Sequence, residues 1–412
     1  MPFFFKLPKF IRTNPKLAFF ALAATATSGF GQTFFVSVVG GEVREAFGLS
    51  HTFYGGIYST ATILSACLLF RFGRLADTWP LAKVTSLAVA LLALGCLLVG
   101  TAPGVLVLGL GFILIRFGGQ GFIAHLGVTT AARYFHDHRG KAVALATAGI
   151  PLAEAILPAS AVFLINFQGW RAPWLTGSIL LVLLILPLLL FLSGRTPAPE
   201  QDQSITGGTG KNFSYTREQV LKDTGFYLIL PSTVAAPFVV TAILFHQAAI
   251  ADIHGWPLQL VGSAFSAYAA GHLASLAAAG PLVDRIGSGR ALSLALLPMI
   301  AGLLLLGLGR GNWLAYVYLG LIGITQGFAS TAAGSVWAER YGVLYLGAIR
   351  SMVQAIMVVT TAIAPVVLGF LLDQGLSLSL LMTILAGGTL LCSGLTCLTR
   401  EVKINHDSIA HK

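Results

Sequence analysis

The chain has 412 residues, 56% of them apolar or aromatic in type and only 10% charged, with a mean hydropathy of +0.83. Water-soluble domains carry about 25% charged residues, so soluble enzymes, coiled coils and disordered hubs are excluded. The net charge of +10 would direct attention to nucleic acid in a soluble protein, but the positions of the charges give a different explanation.

Apolar runs bounded by charges, Gly or Pro fall at about 17–40, 52–72, 84–102, 104–131, 142–165 and 172–192, then at about 224–250, 258–281, 291–309, 313–338, 347–371 and 376–398. Each is long enough to cross a hydrocarbon core of about 30 Å as a helix. The runs are continuous rather than alternating, which predicts helices and not a barrel. The expected fold class is all-α membrane protein, with 12 transmembrane helices in two pseudo-symmetric six-helix bundles.

The first run follows Lys6, Lys9, Arg12 and Lys16. A cleaved signal needs an apolar segment before its small-residue site, and Lys16 stands five residues before Ala21. The first helix is therefore read as uncleaved. Phe3, Phe4, Phe5, Lys6, Lys9 and Phe10 mix aromatic and basic groups as an interfacial anchor does.

With the N-terminus inside, twenty-one of the 25 Lys and Arg fall on the cytoplasmic side. Arg44, Arg171 and Arg310 fall outside, and Arg116 lies within a span. That asymmetry fixes the orientation and accounts for the basic charge through anionic lipid, with no need of nucleic acid. The location expected is a cell inner (plasma) membrane, multi-pass, with both termini cytoplasmic.

An internal repeat has an offset of 207 residues: Gly73 and Asp77 match Gly280 and Asp284, Arg133-Tyr134 matches Arg340-Tyr341, Gly140 matches Gly347, and Pro158 matches Pro365. Parallel six-helix halves are a recurrent transporter architecture. The expected division is 1–192 as the N-terminal bundle, 193–222 as a cytoplasmic linker, 223–400 as the C-terminal bundle and 401–412 as a cytoplasmic tail. The linker is rich in Pro, Ser, Thr and Gly with charges of both signs.

Charged groups inside a bilayer are costly and face a cavity or a partner. Arg116 on span 4 and Glu154 on span 5 lie at similar depth on consecutive helices, so a pair facing the cavity is expected. It is read either as a substrate and proton-coupling pair or as a fixed structural salt bridge. His272 precedes Asp284 by about three turns on an expected cavity helix and suits a proton relay. Gln32, in a polar first span, is a further candidate, as is Gln120; Asn166, Gln326, Trp337 and Gln354 rank behind them. His125, His246 and His254 are titratable, though a hydrogen-bonded neutral His is the commoner state, and Tyr58 and Tyr268 are read first as packing. Asp77 beside Arg74 and Asp284 beside Arg285 read as a cytoplasmic gate that closes in the outward-open state. His136-Asp137-His138 lacks a further ligand for a metal, and the four cysteines (Cys67, Cys96, Cys392, Cys397) form no Cys-x-x-Cys pair. No metal and no cofactor is expected.

Gly73-x-Leu75-x-Asp77 with Lys83, its copy at Asp284-Arg285 with Gly287 and Arg290, Arg116 followed by Gln120-Gly121, Arg133-Tyr134-Phe135 with Arg139-Gly140-Lys141, and Gly169-Trp170-Arg171 occur in order along the chain. In these motifs the sequence resembles the major facilitator superfamily over essentially its whole length, nearest the bacterial monocarboxylate and oxalate/formate porter branch. That resemblance implies a secondary transporter working by alternating access and supports a coupling role for Arg116. Two departures stand out. Those porters commonly carry an Arg on span 8, where this chain reads Leu273 to Ala279 without a cation. Drug antiporters carry a Gly-Pro-rich span 5, of which only Gly149-Ile150-Pro151 remains.

The function expected is proton-coupled movement of a small organic anion, such as a monocarboxylate, by a monomer that is not an enzyme. Partners are a small-molecule substrate, protons and the lipid bilayer. The alternative is proton-driven efflux of hydrophobic compounds. A membrane-embedded transferase lacks a nucleophile or metal constellation, and ATP-driven pumping lacks a phosphate-binding loop.

Overall fold

The computed structural model describes residues 11–12, 14–135, 138–194 and 214–399. His136 and Asp137, the linker from 195 to 213 and the tail from 400 onward lie outside the described residues.

Ten helices are long and apolar enough to cross a membrane among the described residues. They are α1 (Pro15–Phe47), α2 (His51–Thr78), α3 (Leu81–Thr101), α4 (Val105–Tyr134), α5 (Arg139–Gln168), α6 (Ala172–Ser193), α7 (Thr224–Phe245), then α9 (Ser288–Leu308), α11 (Leu346–Asp373) and α12 (Leu378–Cys397). Two 29-residue helices complete the set, α8 (Leu258–Ile286) and α10 (Trp313–Tyr341). These two are less apolar because they spend polar side chains inward: His272 and Ser275 on α8 and Thr325 on α10 are buried. Glycines let their backbones close on each other. A Cβ at Gly323 would stand 2.1 Å from the Tyr268 carbonyl oxygen, and one at Gly327 2.4 Å from that of His272. The fold is all-helical, in the two bundles that the 207-residue repeat implies.

α6 widens to π-helix over Leu181–Ile185, and two further spans depart from regular α-helix where they meet. In α1 the α-helix ends at Thr27, a 3₁₀ turn covers Ser28–Gly31, and Gln32 is extended (φ −86°, ψ 157°) before helix resumes at Thr33. In α4 the turns widen to π-helix over Arg116–Ile123. The two irregularities face each other. A Cβ at Gly31 would stand 2.1 Å from the Ile115 carbonyl oxygen, and one at Gly119 would stand 2.8 Å from Gly31 Cα. On its other side the break presses on α5, where a Cβ at Gly29 would meet Ala153 Cβ at 2.6 Å.

The ends of α2, α4, α8 and α10 carry Arg74, Arg133, Arg285 and Arg340, and define a basic face. The bundles join toward the opposite face, where α2 packs on α11 and α5 on α8. Gly55 lies against Pro365, Gly369 against His51, and Gly262 against Val162.

The crowding at Gly31 predicts that Gly31→Ala destabilises the protein by about 1–3 kcal/mol, the usual cost of overpacking. Gly387→Ala, on α12 with nothing within 4 Å of the added carbon, should leave stability equal or slightly raised. Thermal unfolding of the two variants in one detergent checks the contrast.

Candidate functional site

Arg116 is 2% exposed, yet no carboxylate pairs with it among the described residues. Its Nη1 donates to the Gly31 carbonyl oxygen at 3.1 Å, a group freed by the break in α1. Its guanidinium carbon lies 4.7 Å from the centre of the Tyr58 ring, a cation–π contact that strengthens away from water. The Tyr58 hydroxyl is 2.7 Å from Thr33 Oγ1, and its ring meets Phe245 of the other bundle at 4.6 Å. Arg116 Nε is buried with no partner among the described residues. The result is a buried cation held in place by neutral groups, with donor capacity to spare.

The expected pairing of Arg116 with Glu154 is not present. The break in α1 lies between α4 and α5, touching one through Gly31 and the other through Gly29. The two residues therefore share a depth but not a contact. Glu154 Oε2 instead meets His272 Nδ1 at 2.8 Å, with both side chains under a tenth exposed. With the carboxyl ionised, the imidazole donates in this contact. The pair joins α5 to α8, and so one bundle to the other.

On the face opposite the basic one, Asp373 closes α11 onto the start of α2. Its carboxylate accepts from His51 N at 3.0 Å, Thr52 N at 2.8 Å and Thr52 Oγ1 at 2.5 Å, an anion at a helix N-terminus. His246, expected as a titratable candidate, is buried and donates Nε2–H to the Pro365 carbonyl oxygen at 2.8 Å. This joins α7 to α11. His254 is structural, with Nε2 3.1 Å from the Leu306 carbonyl oxygen and its ring stacked on Trp256 at 4.4 Å.

Three lower-ranked residues prove to be neighbours. Gln326, Trp337 and Gln354 line a cavity of about 360 Å³ in the C-terminal bundle, together with Arg350. Gln32 is half-buried at the break, and among the described residues its side chain makes only a long 3.5 Å contact from Nε2 to Ser28 Oγ. Gln120, Asn166 and His125 are exposed, and the Gln120 backbone lies against the break, its N 2.8 Å from where a Gly31 Cβ would stand. Sequence reasoning missed the Gly31 carbonyl, Phe245 and Arg350. Only the glycines around Phe30 hinted at the first, and the four-residue spacing to Gln354 at the last.

The family model described as Major Facilitator Superfamily matches residues 21–258 and again 229–410. The chain belongs to that superfamily. It is a membrane transporter that works by alternating access, and not an enzyme. No curated protein matches it. A solved bacterial homologue of the human lysosomal transporter Spinster, inward-facing and unoccupied, has TM-score 0.69 at 14% identity, covering 93% of this chain and 94% of that one. The same homologue in an inward-facing, occupied form gives TM-score 0.66 at 14% identity, covering 95% of each chain. A point mutant of the nucleoside transporter NupG gives TM-score 0.69 at 14% identity, covering 92% of this chain and 99% of that one. At such identity these likenesses establish the fold.

The transporter's basic face shows which partners the expected gate residues take. Asp77 pairs with Arg133 Nη2 at 2.5 Å rather than with its neighbour Arg74, and Arg133 Nη1 also donates to the Ala76 carbonyl oxygen at 3.1 Å. Asp284 and Arg285 make no ion pair among the described residues. Arg340, which matches Arg133 in the repeat, reaches instead to Asp223, with Nε to Oδ2 at 3.0 Å. The halves differ because the second begins on a chain segment that offers a carboxylate at the foot of α7.

Burial alone would raise the Asp223 carboxyl, but hydrogen bonds from Arg340, the Tyr341 hydroxyl and Gly225 N outweigh it and hold the group below its ordinary 3.8. A depressed pKa contributes stability that is present above the ordinary value and lost as pH falls through the folded one. Wild type should therefore lose more thermal stability than Asp223→Asn on acidification from about pH 5 to about pH 3. Melting temperatures of both proteins across that window test it.

Proposed function

We propose that this transporter carries a small organic anion together with a proton across a cell's inner membrane, with the basic face in the cytoplasm. Arg116 carries the reading. A guanidinium excluded from water, unpaired with any carboxylate and holding an unused N–H, is poised for an anionic ligand. The break in α1 supports it, since discontinuous helices near mid-membrane are where transporters commonly build their sites. The resemblance to monocarboxylate and oxalate/formate porters points the same way. The orientation follows from the excess of Lys and Arg on that face.

Glu154 and His272 are the proton carriers in this reading. A neutral imidazole donating to a carboxylate leaves the pair at charge −1, and one added proton brings it to zero. A monoanion bound at Arg116 adds −1. Taking up both leaves the central charge as it was, so the loaded carrier reorients at no added electrostatic cost. The pair also makes a contact between bundles that opening of the far face has to break.

Two measurements in proteoliposomes test this, with radiolabelled formate, lactate and oxalate as probes and an acid-outside pH step. Arg116→Ala should lower uptake below saturation by about 10–100-fold, the value of one or two charge-assisted hydrogen bonds. Unchanged uptake and pH dependence in that variant overturn the anion assignment. Glu154→Gln should abolish acid-driven accumulation while retaining anion counterflow. If counterflow and accumulation fall together, Glu154 is not the proton carrier.

A further inference from the structure

We propose that the C-terminal bundle holds a second anion subsite, built around Arg350, Gln354 and Gln326 and suited to a carboxylate or like oxyanion moving between Arg116 and the basic face. Its natural occupant rests on the anion reading above. The local chemistry that makes it a site does not.

The cavity of about 360 Å³ is walled by α7, α10 and α11, and Arg350 is the only ionisable residue lining it among the described residues. One Nη2–H of Arg350 donates to the Gly334 carbonyl oxygen. No carboxylate pairs with it among the described residues. Gln354 stands four residues on and so shares its face of α11, and Gln326 lies across the cavity on α10. Neither amide has a hydrogen-bond partner among the described residues. The hydroxyls present have already spent their protons: Thr233 Oγ1 donates to Ile229 and Ser330 Oγ to Gly327. The unspent donors therefore converge from one guanidinium and two amides, with Trp337, 2% exposed, as an apolar wall. That inventory selects an acceptor-rich ligand of negative charge.

Asp284 and Glu339 line a separate opening of about 590 Å³ that Arg350 also borders. Glu339 is engaged there, accepting from Ser288 N at 3.0 Å. Arg350 thus divides an acidic mouth from a cavity without carboxylates.

The subsite is separate from Arg116. Arg350 is four residues from the start of α11 at Leu346, or ~6 Å of helix from the basic face. Arg116 is eighteen residues from Tyr134, the end of α4 on the same face, or ~27 Å. The difference of ~20 Å exceeds the length of a small carboxylate, so one such molecule occupies the two in turn.

The test needs no substrate. In the full-length protein with its native cysteines changed to serine, Gln354→Cys places a thiol in the cavity. Its reaction rates are measured with anionic sulfonatoethyl, cationic trimethylammonioethyl and neutral methyl methanethiosulfonates, the neutral reagent correcting for folding and access. The anionic reagent should react faster than the cationic one. Arg350→Gln should lower that anion-to-cation ratio about tenfold or more, the effect of one unit charge within ~6 Å, and Arg350→Lys should largely restore it. A ratio that already favours the cation, or that Arg350→Gln leaves unchanged, overturns the subsite. Because no transported anion is involved, this outcome stands apart from failure at Arg116, which uptake alone reports.

Discussion

In hydrocarbon no water is available to satisfy a backbone group, so a helix that breaks inside the membrane must find partners for what it frees. α1 breaks at Gln32, and the carbonyl of Gly31 is left without its helical donor. A guanidinium buried in the same place has the converse difficulty: donors in excess and no counterion. The 3.1 Å bond from Arg116 to Gly31 resolves both. It forms only because Gly31 and Gly119 let α1 and α4 approach within what a single Cβ would forbid. Tyr58, Thr33 and Phe245 then assemble around the guanidinium. The central site follows from this one exchange of unsatisfied polar groups.

The contacts between bundles are distributed unevenly across the membrane, and their chemistry explains the state described. Toward the far face, glycines admit carbonyls and a carboxylate caps a helix: Gly55 against Pro365, Gly369 against His51, and Asp373 on the first amides of α2. Toward the basic face the ion pairs stay within a bundle, Asp77 with Arg133 and Asp223 with Arg340. A pair inside one bundle moves with it and does not resist rocking. Among the described residues no ion pair ties the two halves at the basic face, whereas His272 and Glu154 tie them at the midplane.

Much of the fold was legible in the sequence because lipid imposes so few solutions. Twenty apolar residues in a row, a Lys and Arg asymmetry and a 207-residue repeat are enough to place spans and halves. The site was legible only in its parts. Arg116, Glu154 and His272 stand out because ionisable groups in apolar runs are rare, yet their partners could not be read. Depth along a helix follows from counting residues, but which helix comes between two others is a matter of packing. Here the Ser28–Gly31 turn of α1 separates α4 from α5. Similarity of position in a duplicated chain does not preserve partners: Asp77 pairs with Arg133, whereas Arg340, which matches Arg133, reaches Asp223. Arg350 was hidden for a related reason. A basic residue near the end of a span reads as an orientation signal until the fold shows a cavity beside it.

The pairing of Glu154 with His272 changes what a midplane charge can do. A salt bridge confined to one bundle has the same energy in every state of the carrier, and a group with no differential interaction cannot bias an equilibrium. A contact that spans the bundles does have such a difference. In the state described, the carboxylate is buried and receives a 2.8 Å hydrogen bond from the other half. In the proposed cycle, opening of the far face replaces that bond with water. The surroundings of the pair therefore differ between the two states of the proposed cycle. By linkage, a proton that binds one state more tightly stabilises it to the same degree. The proton coupling proposed above needs no chain of residues running from site to site: it rests on the contact that Glu154 and His272 make between the bundles.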